Sequence, residues 1–287
     1  MSIDKIANLL VVITLFEMMV AIGLRVSIRD VAGVVTNIRV VTRAGLANYV
    51  LVPAITVLLL WLFHASSLVS AGILLAAVCP GAPYAPPLTG IAKGNMPISV
   101  GLMVVLAGSS AILAPLLLGF LLPLIARDAD LRINVVKMVG TLLITQLLPL
   151  SLGLLIRFKR PSLADRLQKP ANVLSGVLNL ILFTLIIALQ YQTLAQIRAK
   201  GFVGMCSLVI LSLVAGWVVG GGPVDDRRAV ALTTATRNVG VALVIASASF
   251  PGSLALTAVV IYAIIQTFLL ALLALLLGRF APTLQVT

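Results

Sequence analysis

The chain has 287 residues, of which 61% are hydrophobic, 10% charged and 5% aromatic, with a net charge of +12. Soluble domains hold about half apolar and about a quarter charged residues, so a soluble fold of this length would lack the polar surface to cover itself. The charges fall in short gaps between apolar runs rather than along one solvated face, which excludes a nucleic-acid binder and leaves the basic bias of cytoplasmic membrane loops.

About 20 apolar residues cross a bilayer core. On that measure spans are predicted at 6–26, 44–63, 67–92, 96–125, 133–156, 170–190, 201–220, 228–249 and 252–278, nine in all. The first run is long, is interrupted by Glu17 and precedes no small-residue cleavage site, so it reads as a span and not as a cleaved leader. Segment 27–45 is basic and weakly amphipathic and is expected to lie along the cytoplasmic interface. Cys79 and Cys206 fall within apolar runs and read as small buried hydrophobes. His64 reads as an interfacial residue at the outer end of a span.

An odd span count puts the termini on opposite sides. One set of loops carries 13 Lys and Arg residues, among them Arg25, Arg43, Lys93, Arg157, Lys169 and Arg228. The other carries six: Lys5, Arg127, Arg132, Lys137, Arg198 and Lys200. That asymmetry places the N-terminus outside and the C-terminus inside a cytoplasmic membrane. Arg157–Lys169 reads as a basic loop within a single membrane domain, 1–287. In each half a plain span (44–63, 201–220) precedes a polar-interrupted one (67–92, 228–249), and a long one follows (96–125, 252–278). Such paired order resembles the inverted-repeat plan of secondary transporters.

The third span holds Pro80, Gly81, Pro83, Pro86 and Pro87, which a regular helix cannot accommodate because each proline removes a donor and clashes one turn back. It is either a surface loop or a helix broken within the membrane, where freed backbone must be enclosed by protein or line a cavity. The eighth holds Thr233, Thr234, Thr236, Arg237 and Asn238 between apolar halves. An arginine there either marks a functional site or is a charge near the surface that sets topology.

CPGAP with AKGN (79–95), ISVGL with APLLLGFLLP (98–123), LANYVLVP (46–53), TATRNVGVALVIA (234–246) and FEMMVAIGLRVS (16–27) resemble the bile acid:sodium symporter family. The resemblance covers most of the chain, and its crossover motifs are the specific part. It implies an all-α integral membrane fold of inverted repeats, with two broken helices crossing at mid-membrane. Core helices would be 44–125 and 201–278, and a panel of 6–26 and 133–190 would pack against them. The family's plan has ten helices, and this chain reads as lacking the first. Family substrates are organic anions, bile acids and smaller carboxylates among them, moved by alternating access.

The family's sodium site does not carry over. Where the family has Ser–Asn in the first crossover, this chain has Ala85–Pro86. Where it has a carboxylate four residues before Gln–Asn, this chain has Thr233, Arg237 and Asn238, and the family's earlier Gln falls on Asn48. Sodium wants several hard oxygens, so these residues make it a divergent member in which sodium coupling is disfavoured, though left open. No other cofactor is expected. The arsenite efflux carriers, distant relatives, place a thiol where this chain has Tyr84.

Asn48, Tyr84, Pro86, Thr233, Thr236, Arg237 and Asn238 are therefore the candidate substrate or ion-binding residues. Arg237 could satisfy carbonyls freed at the two breaks, those near Pro83–Pro87 included, or offer its fork to a substrate carboxylate. Glu17 is a candidate proton carrier or a polar partner. The chain thus reads as a secondary-active or facilitative carrier of small organic anions in the bilayer, the alternative being a non-transporting receptor on the same fold. An intramembrane enzyme would need a nucleophile or acid–base pair, and no HExxH or GxSxG supports one.

Overall fold

The computed structural model describes residues 3–125, 131, 133–194 and 199–280, and for 3–5 and 190–194 the backbone alone. Arg127, Arg132 and Arg198 lie outside the described residues. Helices follow one another as α1 (Ile3–Arg25), α2 (Ile28–Thr36), α3 (Ile38–Leu46), α4 (Val52–Leu62), α5 (Ser67–Ala77), α6 (Ala85–Ile91) and α7 (Met96–Ile125). Then come α8 (Val135–Leu142), α9 (Leu148–Lys159), α10 (Pro161–Leu194), α11 (Ala199–Gly220), α12 (Val224–Ala235), α13 (Val239–Ser249) and α14 (Leu254–Arg279).

Among the described residues seven helices are long and apolar enough to cross a membrane, and Ser67–Ala77 and Val239–Ser249 are shorter apolar helices. Nine crossings therefore require each interrupted segment to cross once. Two of the seven are continuous across wide turns: Ile38–Leu62 and Val135–Lys159. Residues Ala47–Leu51 and Leu143–Leu147 form π turns just ahead of Pro53 and Pro149. A proline has no N–H and crowds the carbonyl four residues back, and the widened turn relieves both without ending the helix.

Two boundaries and the burial of one cysteine differ from the sequence reading. The second span starts at Ile38, because only α2 lies apart: Asn37 ends α2, where its backbone N–H bonds Val34 O, and then caps α3 with its side chain on Val40 N at 3.4 Å. Arg157–Lys169 is a helix corner rather than a loop. Helix α9 runs to Lys159 and Pro161 opens α10, a position where its missing N–H costs nothing. Arg157 ties the corner, donating to Asp165 Oδ1 at 2.5 Å, Gln168 Oε1 at 3.2 Å and Leu24 O. Cys79 is buried, whereas Cys206 is only half-buried on α11.

The first broken segment packs its α5 on α14, and the second packs its α12 on α7; α6 lies on α7 as α13 lies on α14. This reciprocity encloses both breaks between the two longest helices of the group. Helix α1 packs on α9 and α10 and touches α13. Gly23 and Gly153 bring α1 and α9 into backbone contact: a Cβ on Gly23 would meet Leu150 O and Gly153 Cα, and one on Gly153 would meet Val20 O and Gly23 Cα. Small residues at such crossings let helices without a hydrophobic drive gain dispersion contact. Gly23→Val is expected to destabilise the purified protein by about 1–3 kcal/mol through overpacking, read as a lower melting temperature in detergent. A variant melting with the wild type would reject this crossing.

Candidate functional site

Helix α5 ends at Ala77 because Pro80, Gly81 and Pro83 follow, and α12 ends at Ala235 two residues before Arg237. The two breaks meet. Pro80 and Arg237 form an isolated antiparallel bridge, in which Asn238 N donates to Cys79 O at 2.6 Å. Residues 78–82 and 229–239 are buried, which removes both the surface-loop reading of the first break and the surface-charge reading of Arg237. Gly81 is required twice over: its φ is +85°, and an added Cβ would run into the backbone of Ala107, near the middle of α7.

Every opened carbonyl named here finds a donor. Arg237, fully buried, donates Nη1 to Ala77 O at 3.0 Å and Nη2 to Thr234 O. Its guanidinium thus bridges the C-terminal ends of α5 and α12, where helix dipoles place partial negative charge. Its backbone is held by Gln266 near the middle of α14. Arg237 N donates to Gln266 Oε1 at 2.7 Å, and Gln266 Nε2 donates to Arg237 O at 3.2 Å. Asn238 caps α13 by accepting from Val241 N at 3.3 Å, while its Nδ2 donates to Gly81 O at 3.3 Å. Thr236 Oγ1 donates to Leu232 O at 2.6 Å.

The remaining candidates divide. Asn48, in the first π turn, joins the buried knot by donating to Ala44 O at 2.8 Å and Thr234 Oγ1 at 3.2 Å. Thr233 stands on another face, in a hydroxyl chain with Ser99 at 3.1 Å and through it Thr89 at 3.0 Å. Tyr84 and Pro86 are apart from the knot and line a cavity of about 610 Å³. The guanidinium's carbonyl partners are Ala77 and Thr234, not the Pro83–Pro87 stretch. Glu17 makes no bond to the knot among the described residues: its Oε2 accepts from Ser175 Oγ at 2.5 Å, between α1 and α10.

The cavity lies between α1 and α10 on one side and α6, α7 and α14 on the other. Met18, Met103 and Phe183 give it apolar walls, Ser175, Asn179 and Asn172 give it polar points, and Arg25 and Asp30 lie where α1 gives way to α2. A second cavity of about 260 Å³ lies toward the opposite end of α1, between α8 and α13, with Asn134 and Lys137 in its wall. Neither includes Arg237. Between them Gln146, in the second π turn, donates to Ala107 O and to Ser110 Oγ at 3.0 Å.

This crossing of two broken helices coincides with a match over residues 12–197 to the sodium bile acid symporter family. The chain belongs to that family. The match includes the first break and stops short of the second, where Arg237 stands. The chain is 27% identical to sodium/bile acid cotransporter 4 of Homo sapiens over 222 residues, 72% of this chain and 48% of that protein. It is 22% identical to the hepatic sodium/bile acid cotransporter of Rattus norvegicus over 254 residues, 86% of this chain and 70% of that one. The chain thus spans about half the length of the human relative.

Gln266 and Gln146 escaped the sequence reading. Each is a lone amide inside an apolar helix, and that isolation was the available signal. Arg237→Ala leaves two enclosed carbonyls without donors and is expected to cost about 2–5 kcal/mol. Arg237→Lys, which keeps a charge and donors but lacks the rigid planar fork that spans the two carbonyls, should fall between. Denaturant or thermal unfolding in detergent measures both; an Arg237→Ala variant as stable as wild type would dismiss the bridging role.

Proposed function

We propose that the protein is a secondary-active or facilitative transporter of small organic anions, carboxylates foremost, working by alternating access. The moving parts are a panel of α1 and α8–α10 against a core of α3–α7 and α11–α14. Each interrupted segment crosses once, and the basic end of the molecule, with Arg25, Arg43, Lys93, Arg157 and Arg228, faces the cytoplasm.

The observation that carries this reading is the cavity of about 610 Å³ between panel and core, floored by the first break at Tyr84–Pro87. Its size suits a small-molecule site, with mostly apolar walls and a few polar points. Met18, Met103, Phe183 and Pro83 suit the body of an amphipathic carboxylate, and Arg25 at the mouth offers a guanidinium to its head. The smaller cavity at the other end of α1 marks where the path opens when the panel tilts the other way. The names of the relatives, sodium/bile acid cotransporters, supply the substrate class to try first.

Sodium has no part in this reading. The position where two helix C-termini converge, suited to a cation, already holds the Arg237 guanidinium on Ala77 O and Thr234 O. A tethered charge cannot be exchanged across a membrane.

Uptake of labelled cholate and smaller carboxylates into proteoliposomes tests the proposal. Flux should appear and persist when choline replaces sodium, and sodium-dependent flux would overturn the tethered-cation reading. Binding without flux would favour a receptor instead. Arg25→Gln is expected to raise KM about tenfold, the loss of one charge-assisted hydrogen bond, with kcat little changed. An unaltered KM removes Arg25 from the substrate path.

A further inference from the structure

Glu17 stands past the middle of α1, half-buried, in a helix that packs on α9, α10, α13 and the second π turn. One oxygen, Oε2, accepts from Ser175 Oγ at 2.5 Å. The other, Oε1, is enclosed and has no hydrogen-bond partner among the described residues. Nor does any described cation form an ion pair with it.

The surrounding elements offer no countercharge. Helix α13 and the π turn Leu143–Leu147 hold no titratable side chain, and neither does α10 between Pro170 and Leu189. On α9, Arg157 is engaged by Leu24 O, Asp165 and Gln168, and Lys159 lies beyond it at the helix end. Asp165, Arg166 and Lys169 stand with them at the basic corner. On α1 itself Arg25 is two turns further on, about 12 Å along the axis, and Asp4 and Lys5 are at the opposite end. Across the cavity are Asp30 and Tyr84. A bare carboxylate enclosed this way, with one oxygen unpaired and no cation beside it, is costly; a proton neutralises it without a countercharge.

That proton has a route. Ser175, Gly176 and Asn179 line the panel–core cavity, so Glu17 is one hydrogen bond from whatever fills it. We propose that Glu17, one hydrogen bond behind the cavity wall at Ser175, is a proton-binding site and that its proton is the coupling ion of transport. This rests on the transport reading above. The cavity exists only between panel and core, so closing it withdraws solvent from Ser175 and Glu17 together. A group whose proton affinity differs between two arrangements biases the equilibrium between them, by linkage. The step balances simply: the Glu17 carboxylate takes one proton from water while its cavity opens to one side, holds it as the neutral acid while access switches, and returns it to water on the other side. One proton moving with one monovalent carboxylate makes the cycle electroneutral.

The test uses the full chain and Glu17→Gln, which keeps an acceptor for Ser175. Infrared difference spectra of the reconstituted protein between acidic and alkaline buffer should show a protonated-carboxyl band that Glu17→Gln removes. In proteoliposomes an inward proton gradient should drive accumulation of labelled cholate, unchanged when the membrane potential is clamped. The variant should lose that accumulation yet keep cholate counterflow within about threefold of wild type. A carboxyl difference band undiminished in Glu17→Gln, or gradient-driven accumulation that survives in it, overturns the proposal. Wild-type protein with no cholate flux at all defeats the transport reading instead, and the infrared band still decides the proton site.

Discussion

The structure depends on one constraint: a peptide group freed inside a membrane protein has no water to turn to. Two helices stop short within the fold, and their open carbonyls and amides meet each other rather than lipid. Ala77, Cys79 and Gly81 give carbonyls from the first break, and Arg237 and Asn238 of the second give the donors. Gln266 then supplies what neither break can, an acceptor and a donor for the same residue's backbone. The backbone groups at the two breaks are thus paired, while Arg237 Nε and Asn48 Oδ1 stay without a partner among the described residues. The knot fixes where α6 and α13 emerge.

Around that knot the helices differ in how tightly they are held. In the proposed panel, α1 and α9 touch backbone to backbone at Gly23 and Gly153. Within the core, the ends of both repeats are stitched by Asn95 to Asp226 at 2.7 Å and by Arg228 to Lys93 O at 3.3 Å. Between the two bodies lie cavities at either end, with Gln146 on α7 and Met18 against Gly240 in the layer that separates them.

Much of this was legible in the residues. Prolines 80–87 and the Thr–Arg–Asn run marked both breaks, because each conflicts with a regular helix in lipid for a stated reason. What Arg237 bonds was foreseen only in kind: a guanidinium among freed carbonyls, but Ala77 and Thr234 rather than the Pro83–Pro87 stretch. Arg157–Lys169 misled because hydropathy registers charge and not helicity, so a polar helical corner reads like a loop. The start of the second span was hidden likewise, since Arg39 and Arg43 interrupt the apolar signal of a continuous helix. Gln266 and Gln146 were missed because composition averages a single amide away among twenty apolar neighbours. The pairing of Glu17 with Ser175 joins residues 158 apart, and no periodicity reports such a meeting.

The two wide turns ahead of Pro53 and Pro149 each hold one residue more than a regular helix would use over the same rise. The extra residue is absorbed inside the turn, so removing one there would restore an ordinary coil and leave the side chains beyond it facing as they do. Removing one elsewhere in the span would rotate everything beyond it by about 100°. Downstream side chains would then swing from protein to lipid. Each of these two spans accordingly has one place, just ahead of its proline, where its length can fall by a residue without repacking the outer half of the helix.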